Sequence, residues 1–517
     1  MIHSRFVFLS AFVSLWQMSF AQTTFQKTYG DSSTTPGDVG SSIVQTNDGG
    51  FLIAGERSNA GGNESVFLIR TNAAGDTLWT RFIGEASFRY KASCMIATND
   101  NNFLVAGIKS DVTTTIPIVF KFDSLGNILW NRSYDWLSNS QFFTVIQLPD
   151  SDFLMAGINV YDALFIRTDQ YGDTIWSKTY SAPGYAFTLY SIAAAYDGGF
   201  VACGYSGNGL TPDAFLMKID NAGNFMWAKS YGGSYFDYAT QVVTLPDLGF
   251  VVAGTAYSFG AGLNDGDFFI FKTDTAGNVD WCKIYGGPAE DICRTLNQYP
   301  DGSYLFSGSS RSFSAGDADS YLIRTDASGD TMWTEVLNAA STNELNAATL
   351  TPDGGFAVAG YYFYNDAHVL LARADASGYI GCNETHTATV LTIPALQVNS
   401  IAMTMSAVQP NVSSSALTIT SGADVNILCL QTEIPELLLQ EGVELFPNPV
   451  TDELTITTMQ HAIYSVEIFN VLGEKMLSVA ESNRSRLTVD CKLFSKGIYF
   501  VHIRTEKGSV TRKMIKQ

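Results

Sequence analysis

A basic residue recurs near the end of seven similar segments: Arg70, Lys121, Arg167, Lys218, Lys272, Arg324 and Arg373. Two positions on stands an acid in six of them, from Asp123 to Asp375, and Asn72 in the first. A cation beside a carboxylate can grip an anion or clamp a turn. One in every segment reads as framework, because a binding site needs a few selected groups. The same holds for Asp162, Asp213, Asp267 and Asp319, which stand just before these segments. Aromatic residues are placed differently. Trp136, Tyr185, Tyr235, Tyr257 and Tyr364 lie where the segments vary in length and content. Rings and acids together suit a sugar or a peptide, so these five are the candidate binding residues. The alternative is that such rings pack between elements. The histidines, His3, His368, His386, His461 and His502, are scattered. No HExxH, GxSxG or P-loop occurs, so no catalytic residue and no metal ligand is assigned. "NDGD" at 264–267 has the look of a calcium-loop fragment but lacks the full frame and its closing Glu. No cofactor is assigned, and calcium is the one cation left open.

The elements that position these residues are repeats. "DGGFLIAG" at 48–55 returns at 100–107, 150–157, 197–204, 247–254, 301–308 and 353–360, a period of about 50 residues. A second block follows each, such as "FLIRTNAAGDTLW" ending at Trp79 or "YLIRTDASGDTMW" ending at Trp333. In the seventh, Cys382 stands where the tryptophan should be. Each unit parses into four short strands, A to D. Asp and Gly fit the A–B and C–D turns, since they tolerate left-handed backbone. Four strands per unit at this period predict propeller blades. Six units end in a segment like "WCKIYG" at 281–286; the seventh lacks one, and "FQKTYG" stands alone at 25–30. An open ring would leave an unpaired edge. The prediction is an all-β, seven-bladed propeller over 22–383, closed by the N-terminal strand, with Phe25 in the tryptophan slot. The A–B and C–D turns share one face. The B–C and D–A connections share the other, and their variability marks it as the binding face.

The ends set the compartment. Arg5, an apolar run from Phe6 to Trp16 and small residues before Gln22 read as a signal peptide over 1–21. The run is shorter than the ~20 residues a spanning helix needs. No other stretch is long and apolar enough, so the mature chain has no transmembrane segment. The chain has 517 residues and a net charge of −20. Residues 443–517 hold ten basic and eight acidic residues, against 20 and 42 in the remainder. So acidic a body argues against a nucleic-acid partner. Seven cysteines include no CxxC pair. Cys382 with Cys429 is the first candidate disulfide and Cys282 with Cys293 the second; buried apolar thiols are the alternative.

After the repeats, 384–432 reads as a β appendage and 433–442 as a linker. "LFPNPVTDELTI", "VEIFNVLGEKML", "LFSKGIYFVHI" and "GSVTRKMIK" follow over 443–517. Pro447-Asn448-Pro449, Gly473, Gly497, Tyr499, Lys513 and Lys516 carry a resemblance to the type A C-terminal sorting domain of the type IX secretion system of Bacteroidota. The resemblance implies a small Ig-like β-sandwich. It also implies, as partners, the secretion machinery and its sorting peptidase. Delivery would follow Sec-dependent export to the periplasm and end in secretion or attachment at the outer-membrane surface. The propeller repeats resemble those of exported proteins of the same bacteria. "GDTLW" is similar to the Asp-box of sialidases, although its aspartate precedes the glycine by three positions (Asp326 and Gly329). That box is a turn element. The leading expectation is a non-enzymatic surface or secreted propeller that binds a glycan or protein through its variable loops. A polysaccharide hydrolase or lyase using funnel carboxylates, or a structural surface-layer component, are the alternatives.

Overall fold

The computed structural model describes residues 24–517 apart from 31–36, 59–63, 137–138, 209–210, 261–264, 315–316, 338–341, 365, 382–383, 388, 395, 415–416, 421–423, 432–442, 459–462, 471–474 and 506–507. The expected signal peptide and linker lie outside the described residues. So do Asn264, Gly473, Cys382 and the Cys429 side chain. The chain divides into two compact units, residues 1–431 and 432–517. The named elements of both are strands.

Among its described residues the first unit holds seven five-stranded antiparallel sheets, numbered here 1 to 7 in chain order. They are propeller-like. Sheet 5 shows the pattern: strand A is Asp237–Thr244, B is Phe250–Ala256, C is Asp267–Thr273 and D is Val279–Gly286. Strand B is buried throughout, because its faces meet sheets on both sides. That explains its unbroken apolar run. Strand A alternates buried and half-buried residues. In sheet 7, Asn343–Leu350, Phe356–Tyr364 and Asp366–Ala374 supply strands A to C, and Thr24–Gly30 is the fourth. Phe25 stands opposite Arg373, as Trp79 stands opposite Arg70 and Trp281 opposite Lys272.

Apolar clusters lie between consecutive sheets. One holds Phe187 and Phe165 from sheets 4 and 3. Another joins Phe25, Tyr29 and Val369 of sheet 7 to Phe51, Ile53 and Phe67 of sheet 1. Cys203, Cys282 and Cys293 are free buried thiols, so the second candidate disulfide is not formed. Polar latches accompany the clusters. The strand-D tyrosine donates its hydroxyl to a glycine carbonyl in the C–D turn of the next sheet: Tyr134 to Gly172 (2.8 Å) and Tyr231 to Gly277 (2.8 Å). Tyr29 does the same to Gly75 of sheet 1 (2.6 Å), and Lys27 reaches Asp76 (2.7 Å). Gly75 has φ +77°, and a Cβ there would lie 2.5 Å from the Phe25 ring. Both facts require glycine.

The strand-C bases do form framework ion pairs, but with a partner other than the nearby acid. Arg70 meets Asp48 (2.6 Å), Lys121 Asp100 (2.7 Å), Lys272 Asp247 (2.6 Å) and Arg373 Asp353 (2.6 Å). Each partner belongs to the A–B turn. Arg70 holds the Asp48 carboxyl down at about 2. The acid two positions on shapes the C–D turn instead: Asp274 accepts from the backbone N–H of Ala276 (2.9 Å) and Asn278 (2.8 Å).

Residues 384–431 do not gather into an appendage. They lay a fifth strand on every sheet in reverse order. Glu384–His386 pairs in sheet 6, Val390–Thr392 in 5, Gln397–Ser400 in 4, Thr404–Ala407 in 3, Asn411–Ser413 in 2 and Thr418–Thr420 in 1. Asp424–Gln431 then pairs with Thr24–Gly30. Leu391, Val398, Met405, Val412 and Ile419, seven residues apart, face Tyr285, Tyr231, Tyr180, Tyr134 and Ile83 of the D strands. The girdle covers strand edges that would otherwise be templates for aggregation.

The second unit has a three-stranded and a four-stranded sheet. Leu454, Ile456 and Val489 of one share a buried cluster with Val466, Ile468, Val501 and Ile503 of the other.

Candidate functional site

The site is built by a backbone irregularity repeated in each sheet. Strand A of sheet 5 slips register against strand B between Ala239 and Gln241, leaving Thr240 unpaired. The cause is Gly254. A Cβ there would lie 1.9 Å from the Tyr238 carbonyl oxygen, so only glycine admits the close approach at which the bulge begins. Bulges re-aim the extra side chain. The same slip isolates Ser41, Ser93, Phe143, Tyr190, Arg294 and Asn346 in the other sheets. All seven residues line one cavity of about 530 Å³. Each stands 14 positions before the closing glycine of its "FLIAG"-type block, from Ser41 and Gly55 to Asn346 and Gly360.

Ala92, Phe236, Tyr238 and Tyr257 complete the wall. Phe236 precedes strand A and Tyr257 follows strand B, which puts them on the side of the variable B–C and D–A connections. The aromatic side is continuous. Phe143 meets Tyr190 edge-on at 5.3 Å, and Tyr190 meets Tyr205 at 5.9 Å. Tyr205 meets Phe236 at 5.6 Å, and Phe236 stacks on Tyr238 at 5.1 Å and on Tyr257 at 6.1 Å. Tyr257 donates its hydroxyl to Glu290 (2.8 Å). Burial pushes the Tyr190 phenol up to about 12 and raises those of Tyr238 and Tyr257. Arg294 is the one charged residue of the lining. It is exposed to the cavity.

The five aromatic candidates divide. Tyr257 lines the cavity. Trp136 packs against Tyr134 and Phe142, each at 6.3 Å. Its indole N–H is buried and meets no acceptor among the described residues. Tyr185 stacks on Phe187 at 6.0 Å, against the core between sheets 3 and 4. Tyr235 is exposed, and its backbone N–H donates to Ser258 (2.9 Å). Tyr364 lies in strand B of sheet 7 opposite Asp366, with its side chain outside the described residues. Ser41, Ser93, Phe143, Tyr190, Thr240, Arg294 and Asn346 escaped the sequence reading. Their constant 14-residue offset was the signal.

Buried acids lie at the sheet junctions. Asp237 accepts from Gly233 N–H (2.9 Å) and the Ser258 hydroxyl (2.6 Å); Asp291 accepts from Gly287 N–H (2.8 Å). Burial, then repulsion from Asp237, pushes the Asp213 carboxyl up to about 6. Asp319 accepts from the Asn343 amide (2.8 Å). Among the described residues no three His, Cys, Asp or Glu side chains come together as a metal site.

In the second unit the expected sorting residues knit one end. The Asn448 amide donates to the Lys513 carbonyl (2.8 Å) and accepts from the Ile515 N–H (2.8 Å). Pro447 and Pro449 flank it. Tyr499 stacks on Phe494 at 5.1 Å and donates to the Ser495 carbonyl (2.9 Å). Gly497 stands opposite Lys516, and Lys513 opposite Phe500.

Residues 444–517 match the family model of the secretion system C-terminal sorting domain. An all-β body of propeller-like sheets thus precedes a C-terminal delivery signal. That signal is the sorting domain of the type IX secretion system, and the chain is exported, secreted or held at the outer-membrane surface. No curated protein sequence matches the chain. Three solved structures are similar at low identity. The extracellular domain of a hybrid two-component system from B. thetaiotaomicron is 8% identical, with a TM-score of 0.38; the match covers 93% of this chain and 55% of that one. A protein of unknown function from Dyadobacter fermentans is 12% identical with a TM-score of 0.40, covering 68% and 98%. Sqt1 from Chaetomium thermophilum is 12% identical with a TM-score of 0.38, covering 67% and 98%. Scores this low do not define a shared fold. No helix among the described residues is long and apolar enough to cross a membrane.

Proposed function

We propose that the first unit is a seven-bladed propeller, closed by Thr24–Gly30, that binds a glycan in its central funnel. The second unit is then an Ig-like, type A sorting sandwich that the sorting peptidase removes after passage through the machinery. Closure is supported by Phe25 against Gly75 and by Tyr29 donating to the Gly75 carbonyl, which repeat between sheets 7 and 1 the latch made by sheets 2 to 5. The binding reading rests on one observation: seven equivalent bulge residues of unlike chemistry converge on one cavity. About 530 Å³ lies within the ~300–1,000 Å³ of small-ligand pockets. Phe143, Tyr190, Phe236 and Tyr238 offer flat apolar faces to a sugar ring. Ser41 and Ser93 offer hydroxyls; Asn346, with one amide N–H held by the Gly40 carbonyl (3.0 Å), and Thr240, whose hydroxyl donates to the Ala253 carbonyl (3.2 Å), keep acceptor oxygens for its hydroxyls.

Binding suits this lining better than cleavage. Glycoside hydrolysis needs two facing carboxyl groups, and the lining residues include none. The tyrosines beside Arg294 are held as phenols, which are poor bases at neutral pH. Screening the exported protein on a glycan array, then incubating the hits and analysing products, tests the reading. Retention without new reducing ends is expected. Turnover of any hit would turn the reading into the enzyme alternative, and silence across the array would defeat it.

A further inference from the structure

Resting on that reading, we infer that the funnel selects glycans carrying a carboxylate, a uronic acid residue, through Arg294. The seven strand-C bases of the sheets each have an acidic partner. Arg294 differs: it has no hydrogen bond or ion pair to another described residue. The acids that share tyrosine neighbours with Arg294 are engaged already. Glu290 accepts from Tyr257 (2.8 Å) and faces Arg311 (3.7 Å). Glu344 accepts from Tyr361. The tyrosines around Arg294, Tyr190, Tyr238, Tyr257 and Tyr361, feel its positive charge. A lone guanidinium therefore faces an aromatic cavity in a chain of net charge −20.

The chemistry selects among anions. The guanidinium fork matches a planar carboxylate with two parallel hydrogen bonds. A phosphate ester of nearly two charges would draw on several cations, and the lining supplies one; a sulfate ester spreads its single charge over three tetrahedral oxygens, which a planar fork matches less well than a planar carboxylate. The bulge places Arg294 at the same level as Ser93, Thr240 and Asn346. A pyranose seated on the tyrosine and phenylalanine faces would thus direct its ring hydroxyls to these side chains and its carboxylate to the fork. Beside aromatic walls such a pair is screened by fewer waters than in bulk water, and is worth correspondingly more.

The test is titration calorimetry of the exported protein with a trimer of galacturonic acid, a neutral galactose trimer and a sulfated galactose trimer. The galacturonate trimer should bind at least tenfold more tightly than the neutral one, with affinity falling as salt rises. Arg294→Gln should remove that preference while the thermal midpoint stays put. Arg294→Lys should restore only part of it, since a point charge lacks the fork. Equal affinity for acid and neutral trimers, or an unchanged galacturonate affinity in Arg294→Gln, would overturn the inference and leave glycan binding standing. Preference for the sulfated trimer would overturn it in favour of another anion. No binding of any trimer would defeat the funnel reading as well.

Discussion

The outer and inner rims of the sheets are built from the same repeat and treat it in opposite ways. At the outer rim, equivalent positions keep one chemistry in five of the seven sheets: Tyr29, Tyr134, Tyr180, Tyr231 and Tyr285 each donate to a turn glycine of the next sheet, and Ile83 and Leu337 fill the position in the other two. At the inner rim, equivalent positions hold Ser41, Ser93, Phe143, Tyr190, Thr240, Arg294 and Asn346. Repetition serves a task that recurs at every sheet, which is docking to its neighbour. Variation at one geometrically fixed position is what the proposed binding, a task done once by all sheets together, would use. The block glycine joins the two, because its constancy holds the bulge that lets the other residue differ.

The largest effect tests the outer rim. Deleting residues 24–30 removes a strand whose residues are all buried, along with two sheet edges and the latch to sheet 1. Loss of a single cooperative melt is expected in calorimetry. An unaltered transition would show that sheet 7 does not depend on this strand. Gly254→Ala comes next. Its Cβ would meet a backbone carbonyl at 1.9 Å, which no rotamer can relieve. A loss of about 3 kcal/mol in denaturant unfolding is expected, together with weakened ligand binding as Thr240 shifts. A neutral result would separate the glycine from the bulge.

Much of the outer rim was legible in the sequence. Turn glycines and aspartates stamp local rules on local residues, so the 50-residue period and the kinship of "FQKTYG" to "WCKIYG" stood out. The partner of the strand-C base did not. Asp123 is two residues from Lys121, yet Lys121 bonds Asp100 (2.7 Å), because antiparallel register brings the A–B turn alongside the end of strand C. The girdle was hidden for another reason. Strands of three or four residues, such as Val390–Thr392, are too short to show a period of their own. The seven-residue spacing of Leu391, Val398, Met405, Val412 and Ile419 was the readable trace. The inner rim was hardest. Aromatic content pointed to Tyr257 but also to Trp136 and Tyr185, which face core. Bulge residues betray themselves by offset and not by type.

A smaller effect lies between the rims, at the junction of sheets 4 and 5. Asp213 is pushed up to about 6 by burial and then by Asp237. Its folded value thus exceeds the ~3.9 of an unfolded chain. Between these values the folded state binds more protons, so stability falls as pH rises from about 4 to about 6. The cost of ionising it is fully present above that window and absent below it. Asp213→Asn should therefore raise stability at pH 7.5 by about 1 kcal/mol, a figure reduced for partial exposure, and add nothing near pH 4. Calorimetry at both pH values checks this. An equal gain at both would mean packing, not charge, is responsible.

The smallest effect is the sharpest on the contrast between rims. If the bulge residues serve a ligand and not the fold, trimming them should leave stability alone. Ser93 is half-buried at the cavity wall. Ser93→Ala removes one hydroxyl from the lining and leaves Gly107, whose absent side chain admits the Lys91 carbonyl, in place. The change in unfolding free energy should stay within about 0.5 kcal/mol, as for surface positions. The matched framework change, Gly107→Ala, should cost several times more. Comparable losses from the two would mean that strand A carries fold and site in the same residues, and the division between constant and varied positions would fail at its most direct point.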